Sequence, residues 1–537
     1  MAAPAAHGHA PTTGRLLVTL RPATQQHARA SAAALARAAD ARLSGFSVRP
    51  LRLVTLRPRR GQGVHALAVR LRADPGVARV ELEHRARLRL VPNDPALTTP
   101  EPAPGTAPGT PVEWWATRSD FPRAWDISTG AGAVVAIIDT GTETSHPELA
   151  DRLLASRSFD ASGGPATTDT AGHGTHVASL ACGAGNNGIG LAGAGLRCQL
   201  LVVKVDLSDS SVAAGIVWAV DHGADAINMS FGTDPDIPPS RTVRDAVDYA
   251  YARGVVMAAA AADSPIADQG YPSDLLQPTG TGSDLAAGKG LSVTAADAFD
   301  RRAAFAGHGT QISLAAYGAY DPLGPGPRGI FGAFTASANE LDIGSPGPPV
   351  RPPCACRTTF AGDARYAYIQ GTSMAAPMVA ATGALMRHLN PDLGVARILR
   401  VLKESARRPA GVAWTDELGW GILDAGAALT RAAAADRRAP TSRVTARRSR
   451  THARTITVRW TGADKGPPGV RVSGISRFEL WRSIDGGRFR RLYSTPRTAR
   501  RVTLRRGVRY AFYTVAIDHA GNREHAPKRP DARITRR

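Results

Sequence analysis

Long hydrophobic runs are missing from this chain of 537 residues. None approaches the roughly 18 apolar residues that a membrane-spanning helix needs, so no helical span is expected. The start, Met1 to Gly14, holds Ala, Pro and His without the apolar stretch of a secretory leader. Cysteine is scarce, with Cys182, Cys198, Cys354 and Cys356 the whole complement. The C-x-C pair has no second pair at zinc-site spacing, which argues against a structural zinc. Cys182 and Cys198 would close a loop of about 15 residues, worth roughly 3 kcal/mol if oxidised. Two disulfides would fit an exported protein, and four buried thiols remain the alternative. Acidic residues are scarce at both ends: 4 against 16 Lys and Arg in residues 1–93, and 6 against 27 in 437–537. The middle, 94–436, reverses the balance with 35 against 23. The net charges are therefore +12, −12 and +21, in keeping with +21 for the chain.

What is present reads as a globular protein. Hydrophobic residues make up 43%, and the length suits about three domains of roughly 100–200 residues. A basic head beside an acidic middle favours their association, within the limits of salt screening. The arginines of the tail alternate with apolar residues instead of forming one block, which argues against nucleic acid. An anionic polymer, a cell wall or a membrane surface fits that tail about as well as a solvated face.

The order of apolar segments divides the chain further. Arg15 to Arg21 predicts a strand, 24–42 a helix, 49–57 a strand, 62–73 a helix and Val77 to Leu82 a strand after the Asp74-Pro75-Gly76 turn. This is a compact β-α-β-β-α-β pattern over 12–93. Residues 94–112, rich in Pro, Thr and Gly, read as a linker. From 113 to 432 apolar strands alternate with helices: strands at Ala133 to Ile138, Leu200 to Val205, Ala226 to Met229 and Val255 to Ala261, and a helix from Gly172 to Ala181. That pattern predicts an α/β fold, a doubly wound, mostly parallel sheet covered on both faces. Residues 319–362 form a long Gly/Pro-rich stretch, and 433–442 a second linker. In 443–537 the period shortens to that of an all-β sandwich, with strands at Thr455 to Trp460, Arg477 to Arg482, Val502 to Leu504 and Tyr510 to Asp518.

Three segments of the middle region carry chemistry. Asp139 ends the strand Ala136-Ile137-Ile138-Asp139-Thr140-Gly141. His173 opens a helix in Gly172-His173-Gly174-Thr175-His176. Ser373 lies at a helix start in Gln370-Gly371-Thr372-Ser373-Met374-Ala375-Ala376-Pro377. A serine hydroxyl is a weak nucleophile until a base takes its proton. Histidine can be that base, and a buried carboxylate fixes the imidazole tautomer. Singly, each segment also suits a loop cap, a structural turn or an N-cap; three together in this order are hard to reconcile with those roles.

These segments resemble the catalytic signatures of the subtilisin-like protease family, and the triad order Asp, His, Ser is that of subtilisin. The resemblance spans about 113–432 and implies a serine endopeptidase with Asp139, His173 and Ser373 as triad. Gly223 to Gly232 is similar to the family's substrate-binding strand. There Ser230, Phe231 and Gly232 would pair with extended peptide. Gly419 to Ala425 resembles the closing helix motif. Residues 12–93, with Leu16-Leu17-Val18 and Pro75-Gly76-Val77, resemble the inhibitory prodomain. The tail 443–537 resembles a fibronectin type III-like domain. The resemblance thus implies a secreted or cell-envelope precursor that cleaves protein substrates and is inhibited by its own prodomain. It requires no cofactor for chemistry. It also implies a structural calcium loop in Gly185 to Leu191, with Glu148, Asn187, Ile189 and Leu191 as ligands.

One position departs from the family. An Asn usually donates to the oxyanion after the strand that follows the substrate strand, and Asp263 falls there. An ionised carboxylate cannot donate. Three consequences stand open: an enzyme slow at neutral pH, an enzyme that works in acid, or another group at that place. The departure also leaves room for a catalytically weak or inert peptide-binding protein of the same fold, and for a protein whose basic sandwich is the main functional part.

Overall fold

A computed structural model describes residues 12–21, 28–44, 47–59, 62–84, 91–344, 352–391, 393–409, 411–434, 438–445, 449–465, 475–518 and 522–537. They fall into two compact units. The described residues up to 84 form one, and those of 91–464 and 475–537 the other.

The first unit contains β1 (Thr12–Leu20), α1 (Ala28–Ala38), β2 (Ala41–Leu43), β3 (Leu53–Pro58), α2 (Val64–Arg72) and β4 (Val77–His84). Its antiparallel sheet has the order β2-β3-β1-β4. Leu16 and Val18 of β1, Leu56 of β3 and Leu67 and Leu71 of α2 share its core. The strand expected from residue 49 starts at Leu53 instead. Pro50 lacks an N–H and sets its own φ, so Arg49–Leu51 form a 3₁₀ turn, and Arg52 (φ 51°) ends it left-handed.

The second unit opens with α3 (Trp114–Arg118), α4 (Phe121–Ile127), β5 (Val134–Asp139), β6 (Leu153–Ser158), α5 (His173–Cys182), β7 (Gln199–Lys204), α6 (Asp209–Asp221), β8 (Ala226–Met229), α7 (Arg241–Ala252), β9 (Val256–Ala260), α8 (Ser273–Leu276), β10 (Leu291–Ala296) and β11 (Leu314–Tyr317). The seven strands form one parallel sheet, ordered β11-β10-β9-β8-β5-β7-β6. Every residue of β5 is buried. Val135 and Ile137 face one core, with Val177 of α5; Val134, Ala136 and Ile138 face the other, with Ile216 of α6 and Val247 of α7. Helices therefore cover both faces. The strand order reverses at β5, and a crevice opens at the carboxyl ends of β5 and β8, where doubly wound sheets place their ligands.

The Gly/Pro-rich stretch 319–362 is more ordered than its composition suggested. β12 (Ile330–Ala333), α9 (Glu340–Ile343), β13 (Arg357–Phe360) and β14 (Asp363–Ile369) lie in or beside it, and its strands form a small sheet β12-β14-β13. Phe331 stacks on Tyr366 and packs against Phe360. Thus side-chain packing, not strand propensity, holds these segments. α10 (Thr372–Leu389), α11 (Val395–Ser405) and α12 (Ala425–Ala434) follow. Both disulfides are formed, Cys182–Cys198 and Cys354–Cys356.

The stretch read as a linker, 94–112, is folded onto this unit. Asp94, Ala96 and Val112 are buried, and Ala96 N–H donates to Gly190 O at 2.9 Å. The second expected linker, 433–442, is short: α12 runs to Ala434 and β15 starts at Thr441.

β15 (Thr441–Val444), β16 (Ser449–Thr451), β17 (Thr455–Ala463), β18 (Ile475–Ile484), β19 (Arg490–Thr495), β20 (Ala499–Thr503), β21 (Arg509–Asp518) and β22 (Ala532–Arg536) form two sheets, β15-β17-β20 and β16-β22-β21-β18-β19. Val458, Trp460 and Val502 of the first meet Leu480, Phe512 and Ile534 of the second in one core, which makes this region a β-sandwich.

Candidate active site

Asp139 ends β5, so its carboxylate emerges at the switch point while remaining 2% exposed. Thr140 N–H donates to Asp139 Oδ1 at 2.8 Å. Gly141 follows with φ 107°, and a side chain there would meet Thr168 O. Only glycine suits both conditions. His173 opens α5 behind Gly172 (φ 85°). Its Nδ1–H donates to Asp139 Oδ1 at 2.8 Å. A carboxylate can only accept, so Nδ1 carries the proton of the neutral ring and leaves Nε2 as its basic nitrogen. Burial alone would lower the His173 pKa. The charge and hydrogen bond of Asp139, with the charges of Asp169 and Asp263, outweigh it and hold the pKa above the ordinary value.

Ser373 is the second residue of α10. Its Oγ–H donates to Ser230 O at 3.0 Å, and Ser230 Oγ–H donates to Ser373 O at 2.9 Å. The second bond has a covalent cause. Pro377, four residues on inside the helix, has no N–H for the Ser373 carbonyl, and Ser230 supplies the missing donor. The Ser373 hydroxyl proton is thus held by Ser230 in this structure, with Asp139, His173 and Ser373 lining one cleft of about 350 Å³. Phe231 and Gly232 line the same cleft and continue into a smaller cavity with Leu207, Val212 and Tyr271.

Asp263 also lines the cleft. Its Oδ1 accepts Thr372 N–H at 2.7 Å and lies 2.9 Å from Thr372 Oγ1. That hydroxyl has one proton and a second acceptor, Ala261 O, at 2.6 Å. Asp263 is exposed by surface area, yet desolvation by the cleft atoms around its carboxyl raises it above its ordinary value, against the Thr372 bonds and the His173 charge that lower it.

Asp169 does not stand out in the sequence. Buried four residues before His173, it accepts five hydrogen bonds: Thr140 Oγ1 at 2.9 Å, Ala171 N–H at 3.2 Å, Gly172 N–H at 2.9 Å, Thr175 N–H at 2.8 Å and Thr175 Oγ1 at 2.7 Å. It ties the turn before His173 to the residue after Asp139. An Asp in a Thr- and Gly-rich turn before a helix is the signal that could have found it.

The four residues expected to bind calcium meet, but they bond to one another. Glu148 Oε1 accepts Leu191 N–H at 2.9 Å and Tyr366 O–H at 3.0 Å; Glu148 Oε2 accepts Asn187 Nδ2–H at 3.1 Å; Asn187 Oδ1 accepts Ile189 N–H at 3.0 Å. In this arrangement the side-chain oxygens of Glu148 and Asn187 hold the loop together by accepting protein hydrogens. Among the described residues no three His, Cys, Asp or Glu side chains are grouped to hold a metal. Asp94, from the stretch read as a linker, closes the loop instead by accepting Asn186 N–H at 2.7 Å and Asn187 N–H at 3.2 Å. Burial pushes Glu148 to about 7 against the bonds it accepts, with the Asp94 charge adding to the rise.

An acid, a histidine and a serine brought to the switch point of a doubly wound parallel sheet define a subtilisin-like α/β protein. The model of the subtilase family matches residues 130–421, and the chain belongs to that family of serine proteases. It is 32% identical to Subtilisin BL of Lederbergia lenta over 323 residues, covering 59% of this chain and 98% of that protein. It is 29% identical to Thermitase of Thermoactinomyces vulgaris over 301 residues, covering 55% and 85%. With the Extracellular protease of Xanthomonas campestris it shares 29% identity over 412 residues, covering 67% and 60%. A solved protease structure from Pseudoalteromonas arctica aligns with a TM-score of 0.49 at 26% identity, covering 64% of this chain and 99% of that one. Subtilases need no cofactor for catalysis, and no helix among the described residues is long and apolar enough to cross a membrane.

Proposed function

We propose that the chain is the precursor of a serine endopeptidase in which Ser373 attacks the scissile carbonyl. His173 takes its proton and later gives it to the leaving amine, and Asp139 orients the imidazole and stabilises its charged form. The observation that carries this reading is the 2.8 Å bond from His173 Nδ1–H to Asp139, with Ser373 in the same cleft at the start of α10. The tetrahedral oxyanion forms beside the Ser373 N–H and Asp263. Ser230, Phe231 and Gly232, beyond the end of β8, align extended peptide by strand addition. An apo serine need not bond its base before substrate arrives, so the Ser373–Ser230 bond is compatible with this mechanism.

Residues 12–93 are proposed as an inhibitory prodomain, 113–432 as the protease domain and 443–537 as a fibronectin type III-like domain whose positive charge suits an anionic surface or polymer. Secretion fits two disulfides and a relative named Extracellular protease. The test is covalent. A fluorophosphonate should label Ser373 alone, and Ser373→Ala should abolish both labelling and casein hydrolysis while leaving the circular dichroism spectrum intact. Label on another serine, or full activity in the variant, refutes the assignment.

A further inference from the structure

The cleft around Ser373 is lined by three carboxylates, Asp139, Asp263 and Glu340, and by no lysine or arginine among the described residues. Asp139 is engaged by His173 and Asp263 by Thr372. Glu340 is exposed, and its carboxylate has neither ion pair nor hydrogen bond among the described residues. It is the uncommitted charge of the cleft.

Glu340 is also held in place. Its N–H donates to Thr170 O at 2.9 Å, and Leu341 N–H to Ala171 O at 3.3 Å, which docks this segment on the turn leading into His173. Asn339 caps α9 in a reciprocal pair with Asp342. Arg357 bonds that same Asp342 and donates to Thr335 O at 2.7 Å and Ser337 O at 3.1 Å. Cys354, disulfide-bonded to Cys356, donates its N–H to Leu341 O at 2.8 Å. Leu207, Phe231 and Gly232 belong to both cavities, whereas Glu340 and Leu341 belong only to the one that holds Ser373 and His173. The segment that carries this carboxylate is therefore fixed beside the residues next to the scissile bond rather than remote ones.

Resting on the protease reading above, we propose that Glu340 is a specificity-determining residue and that the enzyme prefers peptides carrying Lys or Arg within two residues of the scissile bond. A basic side chain there meets an anion with no competing partner, and an acidic one meets repulsion from Glu340 and Asp263. The sequence joining the two units, His84-Arg85-Ala86-Arg87-Leu88-Arg89-Leu90, has that composition.

The test uses enzyme matured from the full chain and internally quenched alanine-based peptides with Arg, Ala or Glu at each of the two positions before and after the cleaved bond. Product termini are read by mass spectrometry. At low salt the wild type should cleave the Arg peptide faster than the Glu peptide, by kcat/KM, about twofold to fivefold at one position, on the scale of one exposed ion pair. High salt should shrink the ratio, Glu340→Gln should bring it close to one, and Glu340→Lys should invert it. Equal cleavage of the Arg and Glu peptides at every position, or a preference that survives in Glu340→Gln, overturns the proposal while cleavage of the Ala peptide upholds the protease reading. Failure to cut any peptide, the Ala peptide included, overturns both.

Discussion

If Asp263 stands beside the oxyanion, as proposed, the pH behaviour of the site follows from two titrations that oppose each other. In the proposed mechanism the transition state needs Asp263 neutral, to donate, and His173 neutral, to accept. Asp263 is raised by desolvation, so its donating form extends to higher pH than a fully solvated aspartate's would. His173 is raised as well, in part by Asp263 itself, so its basic form is lost earlier as pH falls. The first shift widens the pH range of the donating Asp263 and the second narrows that of the basic His173, so the limbs of the pH profile belong to the pair. Asp263→Asn supplies a neutral donor at all pH values and removes one charge that raises His173. Turnover at pH 8 should rise by about one to three orders of magnitude, the scale of one oxyanion donor, and the acid limb should move to lower pH. Profiles of wild type and variant that coincide from pH 5 to 9 would place the oxyanion elsewhere. Asp139, His173 and Ser373 stand out in the sequence because glycines, a buried strand and a helix start flank them. Asp169 and Glu340 are not, because their roles depend on hydrogen bonds and docking contacts that no local pattern encodes.

At the scale of elements, the parallel sheet is readable because β5, β7, β8 and β9 are short, apolar and buried on both faces. The stretch 94–112 misleads because its Pro and Thr content suits a linker, whereas its order comes from Asp94 receiving N–H groups from a loop some 90 residues away. The strands of 330–369 are hidden for a similar reason, since Phe331, Phe360 and Tyr366 pack only once the chain has returned on itself. α5 carries His173 at one end and at its other end Cys182, which is bonded to Cys198 just before β7. The crosslink therefore fixes the helix that presents His173. Replacing both cysteines by alanine should destabilise the folded state by about 3 kcal/mol, as expected for a loop of about 15 residues. Thermal inactivation should come at lower temperature while turnover well below that temperature changes little. An unchanged inactivation temperature under non-reducing conditions would show that the crosslink adds no constraint.

The charge pattern gives the whole molecule its internal logic. The basic head, at +12, has a sheet and a core of its own, and the middle carries −12. Apolar burial does not depend on ionic strength in this range, but attraction between two such bodies does, because at about 0.1 M salt exposed charges more than about 10 Å apart are largely screened. If 12–93 is an inhibitory prodomain, two consequences follow. The separately made fragment should inhibit the mature enzyme at micromolar concentration or below. Its inhibition constant should rise as salt increases, mainly through slower association, because steering by net charge acts on the encounter. Inhibition that is strong but indifferent to salt would assign the contact to apolar surface and leave the charge division without a role in it. No inhibition at micromolar fragment would remove the prodomain reading altogether. The tail shares the sign of the head but not its role. Its arginines are spread over two sheets, so a fragment of 443–537 should not inhibit, and that comparison separates specific inhibition from the general attraction of any basic domain to an acidic one.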